Sequence, residues 1–494
     1  ASIFLYLDSP KETMASVSTG FILLRAFMIS LLAVLMIVLM QKITPSCFYE
    51  VKKKVLSSLG MLLLGGILFL IIRGGVSEST SNVGQVYFSS NQFLNHSAVN
   101  PLFSMFSSLE DSKDYSDEFN FFDEKQRAQY VEGLYPTTDG DHLVEVLNTK
   151  RPNILLILME GFGSVFVEPL GGLSGVSPNL NRLSKEGVFF TQCYANSFRT
   201  DRGTVSVLSG YLGLPTVSVM KLPVKSRTLP AISEELLKVG YQTDFVYGGD
   251  INFTNMKSYL LSKGYQQLTA DSDFSVAEQS SNVWGVNDDI TSKRLLEQLK
   301  QRKDGPWFTT YLTLSSHEPF EVPYSRLEEK IPNAFAYTDE CLGKLIDELK
   351  ESPLWENLLI VCIPDHGYCY PQGTVDRGGE FSHIPMLWLG GAVKEPMQVN
   401  KIMNQTDLAA TLLGQLGLDH SMFSFSRNVL GSDYTYPFAF YSSGGVFSFR
   451  DSTGVSAYDT KADRISFESP SPSEERLNRG KAILQTAYDD LGNR

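Results

Sequence analysis

Two kinds of apolar pattern divide this chain. Near its start the apolar residues run without a period. "TGFILLRAFMISLLAVLMIVLM" at 19–40 carries one charge, Arg25, and "VLSSLGMLLLGGILFLII" at 55–72 carries none. At a helical rise of about 1.5 Å per residue the second run reaches about 27 Å, close to the hydrocarbon thickness of a bilayer. A buried helical hairpin is the alternative, but two such runs in succession predict membrane spans over about 19–40 and 55–72. The loop between them, "QKITPSCFYEVKKK", holds Lys42, Lys52, Lys53 and Lys54. The positive-inside rule puts that loop in the cytoplasm, so 1–18 and everything after Arg73 are expected outside it. A first residue that is Ala rather than Met leads us to expect an N-terminal truncation of this membrane region. A cleaved leader fits poorly, since Arg25 interrupts the first run and a second run follows.

From residue 151 the pattern changes. Apolar runs of strand length ("NILLILME", "QTDFVYGG", "WFTTYLTLSSH", "NLLIVCIPDHG", "IPMLWLGG") alternate with amphipathic ones such as "LPAISEELLKVG", "ITSKRLLEQLKQ", "YTDECLGKLIDELKES" and "QTDLAATLLGQLG". Strands apolar on both faces, separated by amphipathic helices, predict a mostly parallel sheet covered on both sides. Residues 76–150 are polar and mixed and read as a juxtamembrane linker with short amphipathic helices. The tail, 432–494, predicts short hairpins and a final helix, "EERLNRGKAILQTAYDDL". Four segments follow: a membrane region at 1–75, the linker, an α/β domain at 151–431 and a β-rich C-terminal subdomain.

Composition narrows the function. Lys and Arg total 42 against 55 Asp and Glu, a net charge of -13, so no basic stripe is available for a nucleic-acid backbone. Five cysteines form no CxxC pair and no zinc-finger spacing, and Cys362, inside an apolar run, reads as a buried free thiol.

The candidate chemistry sits at the ends of the strand-like runs, where ligands collect in open α/β sheets. "NILLILMEGFG" ends in Glu160, "NLLIVCIPDHG" in Asp365 and His366, and "TYLTLSSHEPF" in His317. A lone acid there is ordinarily a cap or a turn residue; three such ends together suit a divalent cation such as Mn²⁺, Mg²⁺ or Zn²⁺. Thr200, in "SFRTDRGTVSVLSG", stands at a predicted helix start. There it can serve as a cap, although Gly203 takes the place of a capping-box acid, or as a nucleophile whose phosphoryl partner is held at the helix N-terminus. His96, His142 and His420 receive no chemistry.

"PNILLILMEGFG", "SPNLNRLSKEGVFF", "SFRTDRGT", "SSHEPF" and "IPDHG", in that order and spacing, resemble the membrane-anchored phosphotransferases of the alkaline phosphatase/sulfatase-like superfamily. The branch they resemble is that of lipoteichoic acid synthase and the phosphoglycerol transferases. The resemblance implies an alkaline phosphatase-like fold over about 151–431. It implies that Glu160, Thr200, Asp365 and His366 hold one divalent metal, Mn²⁺ foremost with Mg²⁺ or Zn²⁺ as alternatives. Thr200 would be the nucleophile and His317 a substrate-facing histidine. It further implies a membrane phospholipid donor such as phosphatidylglycerol, a phosphothreonine intermediate, and a glycan or polymer acceptor.

Two departures leave alternatives open. Where the lipoteichoic acid synthases carry a Trp and an Arg for glycerol phosphate, "GGDINFTNMKSYLLSKGY" offers Thr254 and Met256. Arg202 or Lys257 is then a candidate replacement for the cation, against a default of solvated surface charge. His383, in "EFSHIPMLWLGG", lies where the related phosphoethanolamine transferases place a histidine that pairs with the position of His317 on a second metal; a capping or core histidine is the plainer reading. A phosphoethanolamine transferase and a sulfatase-like phosphodiesterase or hydrolase are therefore alternative activities. Sulfate-ester chemistry is disfavoured because Cys193 and Ser197 lack the downstream Pro of a CxPxR-like motif. A non-catalytic binding protein is disfavoured because all four candidate ligands are present.

Overall fold

The computed structural model describes residues 19–43, 54–76, 79–89, 91–104, 115–116, 118–302 and 305–494. The chain divides into two compact units, Ala1–Asn82 and Val83–Arg494. In the first, the apolar runs form helices Thr19–Ile43 and Lys54–Arg73. Lys54–Arg73 is the one described helix long and apolar enough to cross a membrane, with a mean hydropathy of 2.6; a shorter apolar stretch covers Phe27–Lys42. Every described side chain of Phe27–Lys42 is exposed, as are nearly all of those in Lys54–Arg73. Such faces are stable only against lipid or another apolar surface. The lysine-rich loop falls mostly at 44–53, and the stretch before the first helix at 1–18; both lie outside the described residues.

The second unit is built on a nine-stranded sheet. Its strands are β1 (Asn153–Met159), β2 (Val188–Tyr194), β3 (Gln242–Tyr247), β4 (Gln267–Thr269), β5 (Trp307–Leu312), β6 (Leu358–Pro364), β7 (His383–Leu389), β8 (Met397–Val399) and β9 (Met403–Asn404). The order is β4-β3-β5-β1-β6-β7-β2-β8, with β9 paired to β2. All pairings are parallel except those of β7, which runs antiparallel to both β6 and β2. Strands β1, β5 and β6 are buried along almost their whole length. Helices on both faces explain why these strands read as unbroken apolar runs rather than alternating ones.

The tail forms a separate four-stranded antiparallel sheet, β10 (Phe438–Ser443), β11 (Val446–Asp451), β12 (Gly454–Asp459) and β13 (Arg464–Ser469), followed by the helix Glu474–Asn493. From Val83 on, the stretch read as a linker belongs to the second unit. Phe121 and Phe122 donate their N–H groups to Gln485 Oε1, both at 3.0 Å. Leu143 and Leu147 form bridges with Gly431 and Val393.

Sheet order places the candidate residues. β5, β1 and β6 are adjacent, and Met159 is in register with Pro364. The next residues, Glu160 and Asp365, therefore leave two neighbouring parallel strands at the same level. Strands in a sheet are about 4.8 Å apart, so their carboxylates must share space.

Candidate active site

Glu160, Asp365 and His366 each present a ligand atom to one point, all within 4.8 Å of one another, and all three residues are at least nine-tenths buried or close to it. His366 Nε2 lies 3.4 Å from Glu160 Oε1 and 3.6 Å from Asp365 Oδ2. Backbone and second-layer groups fix each side chain. Asp365 Oδ1 accepts the N–H groups of Gly161 at 2.9 Å and His366 at 2.8 Å. Glu160 donates its N–H to Thr313 Oγ1 at 2.9 Å, and its carbonyl accepts from Ser316 Oγ at 2.7 Å. His366 Nδ1 lies 2.9 Å from the Gly367 carbonyl. A carbonyl only accepts, so Nδ1 carries a proton and Nε2 is the ring nitrogen turned to the cluster.

Thr200 joins this group from the far side of β7. It is the first residue of the helix Thr200–Ser209, and Arg199, not Thr200, occupies the cap position. The hydroxyl is not used for capping: Thr200 Oγ1 donates to Glu160 Oε2 at 3.1 Å. The helix can come this close because residue 203 is glycine. A Cβ there would meet the Asp365 carbonyl oxygen at 1.9 Å. The sequence shows Gly203 as a missing capping acid; the structure shows it as the contact point between two parts of the cluster. Gly161, at φ +60°, makes the turn that carries the chain away behind Glu160.

The donor set fits a divalent cation. Two buried carboxylates face one another with one imidazole between them, and Asp365 Oδ2 is buried without a hydrogen-bond partner. Such an atom is costly unless something positive meets it. The electrostatics point the same way. Burial, reinforced by the Glu160 charge, pushes Asp365 up to about 7. Burial would also raise Glu160, but the hydrogen bond and charge of His366 outweigh it and hold this carboxyl low. Burial opposes a charged His366, yet Asp365 and Glu160 raise it to about 10. Without a cation, the pocket recruits protons.

The sulfatase domain family matches residues 152–418, more than half of the chain. The chain belongs to the sulfatase family. Lipoteichoic acid synthase of Staphylococcus saprophyticus is 24% identical over 380 residues, 69% of this chain and 57% of that protein. Phosphoglycerol transferase I of Xanthomonas campestris is 26% identical over 309 residues, 58% of this chain and 43% of that protein. The chain thus spans about half the length of these relatives. A solved structure of a protein in the alkaline phosphatase superfamily from Vibrio parahaemolyticus superimposes with a TM-score of 0.66 at 26% identity, over 76% of this chain and 98% of that one.

Other candidate residues of this sulfatase-family chain are distributed unevenly around the cluster. His317 follows β5 directly after Ser316, whose Oγ donates to the Glu160 carbonyl. Its Nδ1 lies 2.8 Å from the Glu318 carbonyl, which fixes a proton on Nδ1 and leaves Nε2 as the ring nitrogen outside that hydrogen bond. Arg202 is largely enclosed rather than solvated. Its Nε donates to the Leu214 carbonyl at 2.9 Å, and its guanidinium sits 5.6 Å from the Phe198 ring centre and 3.8 Å from Asp201 Oδ1. His383 begins β7 and belongs to no three-donor group among the described residues. Its Nε2 lies 2.9 Å from the Thr191 carbonyl and its ring stacks on Tyr194 at 5.0 Å. Burial lowers its pKa, as for a neutral packed histidine. Met256 is buried, and Thr254 turns through a left-handed conformation at φ 51°.

The sequence reading missed Thr313, Ser316 and Trp284. Trp284 Nε1 donates to the same Glu318 carbonyl at 2.5 Å, and its ring lies 4.8 Å from that of His317. The polar run "TLSSH" directly after an apolar strand was the available signal for the first two; nothing local marked the tryptophan.

Proposed function

We propose that this chain is a membrane-anchored, metal-dependent phosphotransferase acting outside the cytoplasm. It moves phosphoglycerol from phosphatidylglycerol through a phosphothreonine at residue 200 to a glycan or polymer hydroxyl. The observation that carries the reading is the hydrogen bond from Thr200 Oγ1 to Glu160 Oε2 at 3.1 Å, inside a buried cluster of two carboxylates and a histidine. The relatives' names support phosphoglycerol as the transferred group, and the 20-residue apolar helix supports access to a lipid donor from a bilayer.

Glu160, Asp365 and His366, with the Thr200 oxygen, would hold the cation, Mn²⁺ foremost. When bound, it supplies Lewis acidity that lowers the pKa of a hydroxyl and offsets phosphoryl charge. The protein's own groups do the rest. Glu160 orients the Thr200 oxygen; the Arg199 carbonyl takes the N–H groups of Arg202 and Gly203, so those of Thr200 and Asp201 at the helix start would face the phosphoryl oxygens. In the first step the Thr200 oxygen bonds to phosphorus, its proton is lost, and the bond from phosphorus to the diacylglycerol oxygen breaks. That oxygen leaves with a proton. In the second step an acceptor hydroxyl bonds to phosphorus, gives up its proton, and the Thr200 oxygen departs and is reprotonated. His317, with Nδ1 committed to the Glu318 carbonyl and Nε2 outside that bond, would carry the proton in either step.

The test is incubation of the bilayer-embedded chain with labelled phosphatidylglycerol and, separately, phosphatidylethanolamine, followed by mass analysis of the peptide containing Thr200. A phosphoglycerol adduct is expected. A phosphoethanolamine adduct would reassign the donor, and absence of any adduct alongside turnover would overturn the covalent mechanism.

A further inference from the structure

One buried side chain outside the cluster touches both halves of it. Gln405 is fully buried in the corner just before the helix Asp407–Leu416. Its Nε2 donates to the carbonyls of Pro364 at 2.5 Å and Asp365 at 2.7 Å. Its Oε1 accepts the N–H of Asn196 at 3.4 Å, and its own N–H donates to the Tyr194 carbonyl at 2.8 Å. An amide side chain offers two donor hydrogens and one carbonyl. Here both hydrogens go to the turn that carries Asp365 and His366, and the oxygen goes to the segment that leads from β2 to Thr200. Those two segments are separated in the sheet by β7. Gln405 ties them together across it.

The corner is itself braced. Asp407 Oδ2 accepts the Asn404 N–H at 2.8 Å and pairs with Arg427 Nη2 at 2.5 Å, both side chains fully enclosed. Asn404 Nδ2 donates to the carbonyls of Tyr194 at 3.1 Å and Phe440 at 3.0 Å. Gln405 is therefore presented from a fixed base, as a group that sets the position of others must be.

We propose that Gln405 is a positioning residue, holding the Asp365–His366 turn and the approach to Thr200 at the separation that cation binding needs. The inference rests on the reading of Glu160, Asp365 and His366 as a metal centre. It predicts that removing the amide acts on metal affinity first and on the chemical step only through the metal. Loss of groups that orient metal ligands typically weakens binding by about 10–100-fold.

The experiment is titration of the full chain in detergent with Mn²⁺ after chelator treatment, reading dissociation constant, melting temperature of the metal-free protein, and turnover against Mn²⁺ concentration. Gln405→Met keeps the length and removes the hydrogen bonds. Gln415→Met is the matched control: Gln415 is equally buried, accepts the Val146 N–H at 2.8 Å and donates to the Val144 carbonyl at 2.9 Å, but touches no cluster segment. The expected result is a Mn²⁺ dissociation constant raised about 10–100-fold by Gln405→Met, with turnover recovering at saturating Mn²⁺, and no such change in Gln415→Met. Should Gln405→Met not fold, Gln405→Asn, too short to span both carbonyls, is expected to show the same loss. Equal Mn²⁺ affinity in the wild-type chain and in the Gln405 variant would overturn the inference and leave the metal centre standing. A wild-type chain that takes up no divalent ion would remove the metal centre, and the role of Gln405 with it.

Discussion

Thr200 occupies the first turn of its helix without capping it, and this separates its proposed chemical role from its structural one. Arg199 holds the cap position, so Thr200→Ala removes no cap and only one hydrogen bond. Its stability should change by no more than about 1 kcal/mol. Turnover should fall by at least about 10³-fold, because the change removes the proposed nucleophile, while the nearby Thr313 and Ser316 hydroxyls are held by the Glu160 backbone. Melting followed by circular dichroism, set beside a transfer assay, checks both halves. Unchanged turnover would exclude Thr200 as nucleophile. His383 is the opposite case. With Nε2 against the Thr191 carbonyl and its ring on Tyr194, it is committed to β2. Elemental analysis should find one tightly held divalent ion per chain, and His383→Gln should leave that content unchanged; a loss of metal would restore it as a ligand. Such residue-level facts were half legible. Glu160, Asp365 and His366 stand out because each directly follows an apolar run, whereas the engagement of Arg202 with the Leu214 carbonyl depends on a contact that no local pattern reveals.

The helix Thr200–Ser209 meets the end of β6 with no side chain between them. An Ala at 203 would favour the helix itself by about 1 kcal/mol. Its Cβ, however, would lie 1.9 Å from the Asp365 carbonyl oxygen, and that atom is already held by Gln405. Relief requires the helix to move away from the turn, at a cost of about 1–3 kcal/mol. Gly203→Ala should therefore lower the melting temperature and weaken Mn²⁺ binding together, measured by thermal denaturation with and without metal. A variant stabilised by its added helix propensity would contradict this packing. The strands were readable at this scale because burial on both faces leaves an unbroken apolar run, as in "NILLILM" and "LLIVCIP". The direction of β7 was not, since "HIPMLWL" is equally apolar and apolarity carries no information about which way a strand runs.

Across the whole molecule, a cation at the proposed centre would compete with protons for one buried group of charges. In the metal-free chain both Asp365 and His366 are raised, one to about 7 and the other to about 10. A group whose folded pKa exceeds its unfolded value contributes stability at low pH and loses it as pH rises through the folded pKa. These two residues thus weaken the metal-free fold progressively from about pH 4 to about pH 10. Metal binding must displace their protons, so the stabilisation conferred by the ion runs the other way. The rise in melting temperature on adding Mn²⁺ to chelator-treated protein should grow between pH 5 and pH 8, and an increment that shrinks with pH would contradict the assigned donors. The long-range design explains how much of this could be read without the fold. Element type and burial are local properties, so hydrophobic patterning alone indicated the apolar N-terminal helices, a mostly parallel α/β domain, a β-rich tail and reactive groups at strand ends. The pairing of β1 with β6, the return of Thr200 across β7, the close contact at Gly203 and the bridge made by Gln405 join residues 40 or more positions apart. Their geometry arises from packing many elements at once, and only the folded chain brings those groups to one point.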